Sequence, residues 1–191
     1  RKSTSYFKKM TLKIATRSSK LALAQVDEFV SEYNISDYKI IKIKTEGDVK
    51  SSKGETLFDK AHFVSDIQKS ILRGDADIAV HSAKDTPAKK TNGIERNFII
   101  SRTSKDVLVF KDNNNFNSSM KIGTSSLRRK LQAYHFLKST NVFDINGNVD
   151  TRLEKLYRGD YDCIILAKAG LERLRLLCLL YTSDAADDCE G

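Results

Sequence analysis

No apolar run in this chain approaches the ~20 residues that a membrane-spanning helix needs. No secretory hydrophobic segment follows the basic start either: RKSTSYFKKM passes straight into a strand-like stretch. Cysteine is scarce. Cys163, Cys178 and Cys189 form no C-x-x-C pair and no Cys/His cluster at zinc spacing. That excludes a zinc module and a disulfide framework and points to a reducing compartment. Cys163, inside DCIILA, fits core packing. Proline occurs once, as Pro87. The first residue is Arg rather than Met, so the expectation is a fragment whose native start lies elsewhere, with Met10 as one candidate.

Acidic residues are outnumbered, 25 against 33 Lys and Arg, for a formal net charge of +8. That balance admits nucleic acid, an acidic membrane surface or a polyanionic small molecule as partner. No RRM, KH or helix-turn-helix signature supports the first. The hydrophobic fraction of 40% suits a globular protein, and 191 residues allow one large domain or two small ones.

Strand and helix signals alternate. LKIAT, YKIIKIK and DIAVHS read as strands. Between them, SSKLALAQVDEFVSEY puts Leu21, Gln25, Val26, Phe29 and Val30 on one helical face with Ser18 or Ser19 as N-cap. HFVSDIQKSILRG carries Val64, Ile67 and Ile71 at helical spacing and ends at Gly74, a C-cap. The pattern then restarts. NFIISR, DVLVF, KIG, VFDI and DCIILA are strand-like. SSLRRKLQAYHFL predicts a helix with Leu127, Leu131 and Tyr134 inward; VDTRLEKLYRG predicts one with Val149, Leu153 and Leu156 inward; AGLERL begins another. Two βα-rich lobes in succession imply an α/β protein of two domains, 1–103 and 104–177, with a non-matching, disordered tail over 178–191. No internal repeat is strong enough to assign from the sequence.

The candidate chemistry lies at strand ends, where open α/β sheets bind their ligands. In KIGTSSLRRK, Thr124, Ser125 and Ser126 fill the turn before a helix, offering N–H groups, hydroxyls and the positive end of a helix dipole. Arg128 and Arg129 in the first helical turn are unfavourable for that dipole, and a bound anion would account for them. NGNVDTRL repeats the logic with Gly147 in the turn, Asn148 as cap and Arg152 one turn on. Arg17 and Ser19 flank the first strand-helix junction and Arg173 follows the last. If the sheets are parallel, these arginines point into one cleft and suit a ligand with several carboxylates or phosphates. HSAKDTP, after the third strand, adds Asp85. A carboxylate among guanidinium groups has a use if the ligand also carries N–H groups, or if positive charge develops during reaction.

IATRSSKLALAQ, DADIAVHSAKDTP, IGTSSLRR, GNVDTRLEKL and YDCIILAKAGLERL together, in order and spacing, closely resemble the porphobilinogen deaminase (hydroxymethylbilane synthase) family, from about Leu12 to about Leu174. The resemblance implies two lobes like those of type II periplasmic binding proteins, with mixed, largely parallel sheets, and a third α+β domain that is missing here. It implies a transferase of haem and tetrapyrrole biosynthesis that joins four porphobilinogen units with release of ammonia. It implies a dipyrromethane cofactor held as a thioether on a cysteine of the third domain. A cytoplasmic or plastid monomer is expected, with no nucleic-acid or membrane partner. By motif, Asp85 is the essential acid, flanked by Ser82 and Lys84. Arg17, Ser19, Lys60, Thr124, Ser125, Ser126, Arg128, Arg129, Asn146, Asn148, Arg152 and Arg173 are the substrate- and cofactor-binding positions.

The match has gaps. The family's Gly-Gly-Lys-Gly element before FVSDIQ is missing from LFDKAHFVSD. Asn146 stands where the family usually has Arg, and losing a charge-assisted pair costs about 1.5–3 kcal/mol of binding. None of the three cysteines lies in the cofactor-attachment motif, so the chain as written is expected to carry no primer and to sustain no turnover. A two-lobed organic-anion binding protein is the alternative reading.

Overall fold

The structure, a computed structural model, describes residues 11–45, 64–88, 90–98, 105–111 and 115–177. The described residues up to Phe98 form one compact unit, and those from Lys105 onward form another.

In the first unit, β1 (Leu12–Arg17), α1 (Lys20–Glu32), β2 (Tyr38–Ile43), α2 (Ser65–Leu72) and β3 (Ile78–Ala79) follow in order. The sheet runs β2-β1-β3, all parallel, with Ile14 opposite both Ile40 and Ile78. Period-two alternation along β1 feeds two cores. Ile14 packs with Val26 and Val30 of α1, while Ala15 packs with Ile67 of α2 and Ala76. The helices therefore cover both faces, as parallel sheets require. Ser19 is the N-cap of α1, its Oγ accepting from the Ala22 amide at 3.3 Å. Gly74 takes the left-handed φ of +76° that the end of α2 needs.

In the second unit, β4 (Asp106–Phe110), β5 (Ile122–Gly123), α3 (Leu127–Phe136), β6 (Val142–Phe143), α4 (Val149–Arg158), β7 (Cys163–Ala167) and α5 (Lys168–Arg173) follow in order. The sheet runs β4-β7-β5-β6; β4 is antiparallel to β7 and the other pairings are parallel. The observed class is therefore α/β with mixed, largely parallel sheets. Alternate residues of β7 face opposite cores. Ile164 and Leu166 pack with Leu153 and Leu156 of α4 and Leu171 of α5. Cys163 and Ile165 pack with Ile122 and Ala133 of α3.

Three expectations need correction. Leu127, Leu131 and Tyr134 do not point inward: they are 72%, 61% and 64% exposed. The inner stripe of α3 is instead Arg129, Ala133 and Leu137, at i, i+4 and i+8. An arginine holds a core-facing position there because a carboxylate meets it. Asn148 occupies the N-cap position of α4, but its side chain makes no capping hydrogen bond. The expected strand NFIISR does not begin where it was placed: Asn97 and Phe98 lie in no strand and Phe98 is 79% exposed, while 99–102 fall outside the described residues.

The two units share one local device. Asp77, just before β3, accepts the Lys13 amide on its carboxylate at 2.7 Å, and its own amide donates to the Lys13 carbonyl at 2.9 Å. Asp162, just before β7, does the same with Lys121, at 2.7 Å and 3.0 Å. The next residues pair across the sheet in each case, Ile14 with Ile78 and Ile122 with Cys163. Thr16 and Thr124, two residues further on, are both fully buried. Lys-Ile-Ala-Thr and Lys-Ile-Gly-Thr are thus equivalent strand starts in a repeated βα plan.

Candidate functional site

Within the first unit, the carboxyl ends of β1 and β3 bring Arg17, Ser18 and Ser19 to the same sheet edge as His81 and Ser82. Thr16 ties this edge together, its hydroxyl donating to the Val80 carbonyl at 2.9 Å. After β3 the chain makes a single 3-10 turn over Ala83–Asp85, with Ser82 as its N-cap residue. The Ser82 hydroxyl sits 3.0 Å from Nε2 and 3.1 Å from Oε1 of Gln25 on α1, which fixes the start of that turn. The end is held by Arg96, whose Nη1 donates to the Pro87 carbonyl at 2.6 Å.

Asp85 therefore sits on a braced turn. It is half-buried, and no side chain among the described residues donates a hydrogen bond to its carboxylate. A half-buried carboxylate without a donor is a costly arrangement unless a ligand supplies one. His81 contacts both ends of the turn, its Nδ1 3.4 Å from both the Ser82 carbonyl and the Thr86 hydroxyl. Burial pushes the His81 pKa below 6.5, and Arg96 adds to that; the Ser82 carbonyl and Asp85 oppose it. Lys84 is exposed on the same turn. Lys60 lies outside the described residues, as does the segment read as lacking a Gly-Lys loop.

Within the second unit, the carboxyl ends of β5, β6 and β7 and the amino end of β4 make one edge, because Asp106 pairs with Ala167 in antiparallel register. The turn after β5 is stitched to the loop after β6. The Ser125 hydroxyl donates to the Ile145 carbonyl at 2.8 Å and accepts the Ile145 amide at 3.0 Å, with Asn146 Oδ1 3.1 Å away. Thr124 is fully buried, and its Oγ1 accepts the Ser126 amide at 3.3 Å. So Thr124 and Ser125 are internal struts, while Ser126 caps α3 by position only, with no side-chain capping bond.

The arginines divide by environment. Arg129 is inward: its Nε and Nη2 donate to Asp106 Oδ1 at 3.1 and 2.8 Å, and its Nη1 donates to the Ile165 carbonyl at 3.1 Å. Arg128 is 58% exposed, with Nη2 2.7 Å from Asp106 Oδ2 and Nη1 donating to Gln132 at 2.8 Å. Burial would raise the Asp106 pKa, but the hydrogen bonds from Arg129 and then the ion-pair contact with Arg128, which lacks hydrogen-bond geometry, outweigh it and hold it below 3.8. Arg152 folds back on its own helix start, Nε donating to the Gly147 carbonyl at 2.8 Å. Its Nη groups meet no acceptor among the described residues. Burial and then the nearby Arg129 charge lower its pKa, with Tyr161 opposing. Gly147 has φ +110°, and a Cβ there would fall 2.8 Å from Thr151 Cβ, so the loop needs glycine. Arg173 ends α5 rather than marking the strand end, and burial lowers its pKa against the pull of Glu172.

Reading residue by residue missed Asp106 and Gln25. The signal for Asp106 was present but indirect: an arginine at a helix phase facing the sheet demands an acid. Nothing in the linear pattern said which acid.

The second edge suits a carboxylate-rich group, since it pairs the unengaged Arg152 donors with an exposed Arg128. It does not suit covalent attachment. Cys163 is the only cysteine among the described residues; it is fully buried, and burial pushes its pKa to about 12, so it stays an inert thiol. Among the described residues no cluster of three or more His, Cys, Asp or Glu could hold a metal ion, and no helix is long and apolar enough to cross a membrane.

A family model described as porphobilinogen deaminase, dipyromethane cofactor binding domain, matches residues 12–185. A probable porphobilinogen deaminase of Ignicoccus hospitalis is 40% identical over 179 residues, covering 87% of this chain and 59% of that protein. A porphobilinogen deaminase of Nitratiruptor sp. is 38% identical over 175 residues, covering 88% and 56%. One from Francisella tularensis subsp. holarctica is 41% identical over 173 residues, covering 86% and 57%. The chain thus spans under two thirds of the length of these relatives. A model matched from β1 to beyond α5, and relatives this similar over most of the sequence, place the chain in the porphobilinogen deaminase family.

Proposed function

We propose that this chain is the acid-bearing and anion-binding part of a hydroxymethylbilane synthase, which joins four porphobilinogen units head to tail and releases one ammonia at each step. The single observation that carries the reading is Asp85, a half-buried carboxylate on a braced turn with no hydrogen-bond donor among the described residues. Porphobilinogen offers what that carboxylate lacks, a ring N–H. Independently, the guanidinium groups of the second unit suit carboxylates of the acetate and propionate kind.

In this reading Asp85 accepts the pyrrole N–H and stabilises the positive charge that develops as the protonated aminomethyl group leaves as ammonia. Within the second unit, taken by itself, Arg128 and Arg152 serve pyrrole side-chain carboxylates, supported by Arg129, Thr124, Ser125 and Ser126. Asn146, Asn148 and Arg173 are proposed as further binding positions, and Arg17, Ser19, Ser82, Lys84 and Lys60 serve the acid-bearing unit. Bound dipyrromethane would supply the primer for chain growth, with Arg128 and Arg152 holding its carboxylates. We further assign domains 1–103 and 104–177, lobes of the type II periplasmic-binding kind, and a monomeric cytoplasmic protein.

The test is Asp85→Ala in the complete gene product. Release of hydroxymethylbilane should fall about 100-fold or more, while Lys53→Ala should leave it unchanged. Equal losses from both would refute the assignment.

A further inference from the structure

We propose that Asp106 is a positioning residue for ligand recognition: it holds Arg129 by one carboxylate oxygen and Arg128 by the other, and so fixes the direction in which Arg128 meets an anion. This rests on the carboxylate-binding role given above to the second unit.

The argument begins with α3. Its first turn carries two adjacent arginines and no acidic residue, which places like charges against the positive end of a helix dipole. Asp106 is the counter-charge, and it comes from a different strand. Because β4 runs antiparallel to β7, its first residue arrives at the edge where β5 and β7 end. The Asp106 side chain is 15% exposed and that of Arg129 is 14% exposed. All three nitrogens of Arg129 are engaged inward, on Asp106 and the Ile165 carbonyl. Arg129 therefore commits its Nε–H and one N–H of each Nη to the protein. Arg128 is far less enclosed: it touches Asp106 through Nη2 and Gln132 through Nη1, leaves Nε unengaged among the described residues and is 58% exposed. An arginine side chain with that exposure would normally sample many rotamers, and holding it in one lowers the entropic cost of binding. The two arginines of the motif thus have different tasks: one anchors the acid and the other, aimed by it, faces solvent.

The test turns on a sign. Asp106→Asn removes a negative charge next to an anion site, so simple Coulomb attraction would tighten the binding of a dicarboxylate. A positioning role predicts the reverse. Asp160→Asn makes the same charge change at an exposed site before β7 and sets the baseline. With porphobilinogen as the probe in titration calorimetry, Asp106→Asn should bind about tenfold more weakly than Asp160→Asn. Equal or tighter binding overturns the positioning role and leaves the functional reading standing. Failure of the unaltered chain to bind porphobilinogen overturns the functional reading and this proposal with it. Arg side-chain NMR of the unaltered chain needs no variant to fold: the Arg128 guanidinium should be as restricted as that of Arg129. A freely rotating Arg128 would refute the proposal by itself.

Discussion

His81 illustrates how one side chain sets a pH limit. Burial depresses its pKa below 6.5, so the folded protein favours the neutral ring. The unfolded chain binds a proton first as pH falls, and stability from this group is present above 6.5 and lost below it. Asp85 pulls the other way and Arg96 reinforces the depression. Melting temperature should therefore drop between about pH 7.5 and about pH 5, and His81→Gln should reduce that drop. An unchanged drop would remove His81 from the account. The same ring meets Ser82 and Thr86, the residues at the two ends of the turn that carries Asp85.

At the scale of elements, α3 separates what the sequence made legible from what it concealed. The inner faces of α1 and α4 could be read directly, because Val26, Val30, Leu153 and Leu156 are both apolar and buried. In α3 the apolar residues and the buried residues are different sets. Hydrophobic periodicity selects Leu127, Leu131 and Tyr134, yet the sheet is met by Arg129 and Ala133. Periodicity cannot detect a core-facing arginine whose acid lies 23 positions earlier. The Asp77 and Asp162 clamps were hidden for a similar reason, since each joins residues far apart in sequence. The exposed stripe of α3 borders a groove of about 520 Å³ lined by Leu127, Arg128, Leu131, Gln132, His135 and Phe136. A patch of this kind binds hydrophobic dyes. Leu131→Glu should lower dye fluorescence several-fold without lowering the melting temperature, because Leu131 makes no part of the core. A falling melting temperature would show that the residue is packed after all.

Across the whole molecule, the strand ends were the most readable feature and the assembly the least. Small residues and arginines after each apolar run located the carboxyl-end edges of the two sheets, because the chemistry of a strand-to-helix turn is local. Which hydroxyls stay available was only partly local: Thr124 is taken by the Ser126 amide two residues on, but Ser125 is engaged by the loop after β6. The family match, by contrast, rests on motifs spread over the two units, and it was legible because their order is as informative as their content.

Cys163 offers a use that its chemistry did not suggest. Its thiol lies in the central layer of the second unit, between α3 and the sheet, and its high pKa keeps it from reacting while covered. With Cys178 and Cys189 replaced by serine, alkylation at this one sulfur would time the opening of the second unit while ignoring every fluctuation of the first. Labelling as fast as a free thiol would mean that the sheet breathes too readily to protect it; slow labelling would give that unit a molecular stopwatch of its own.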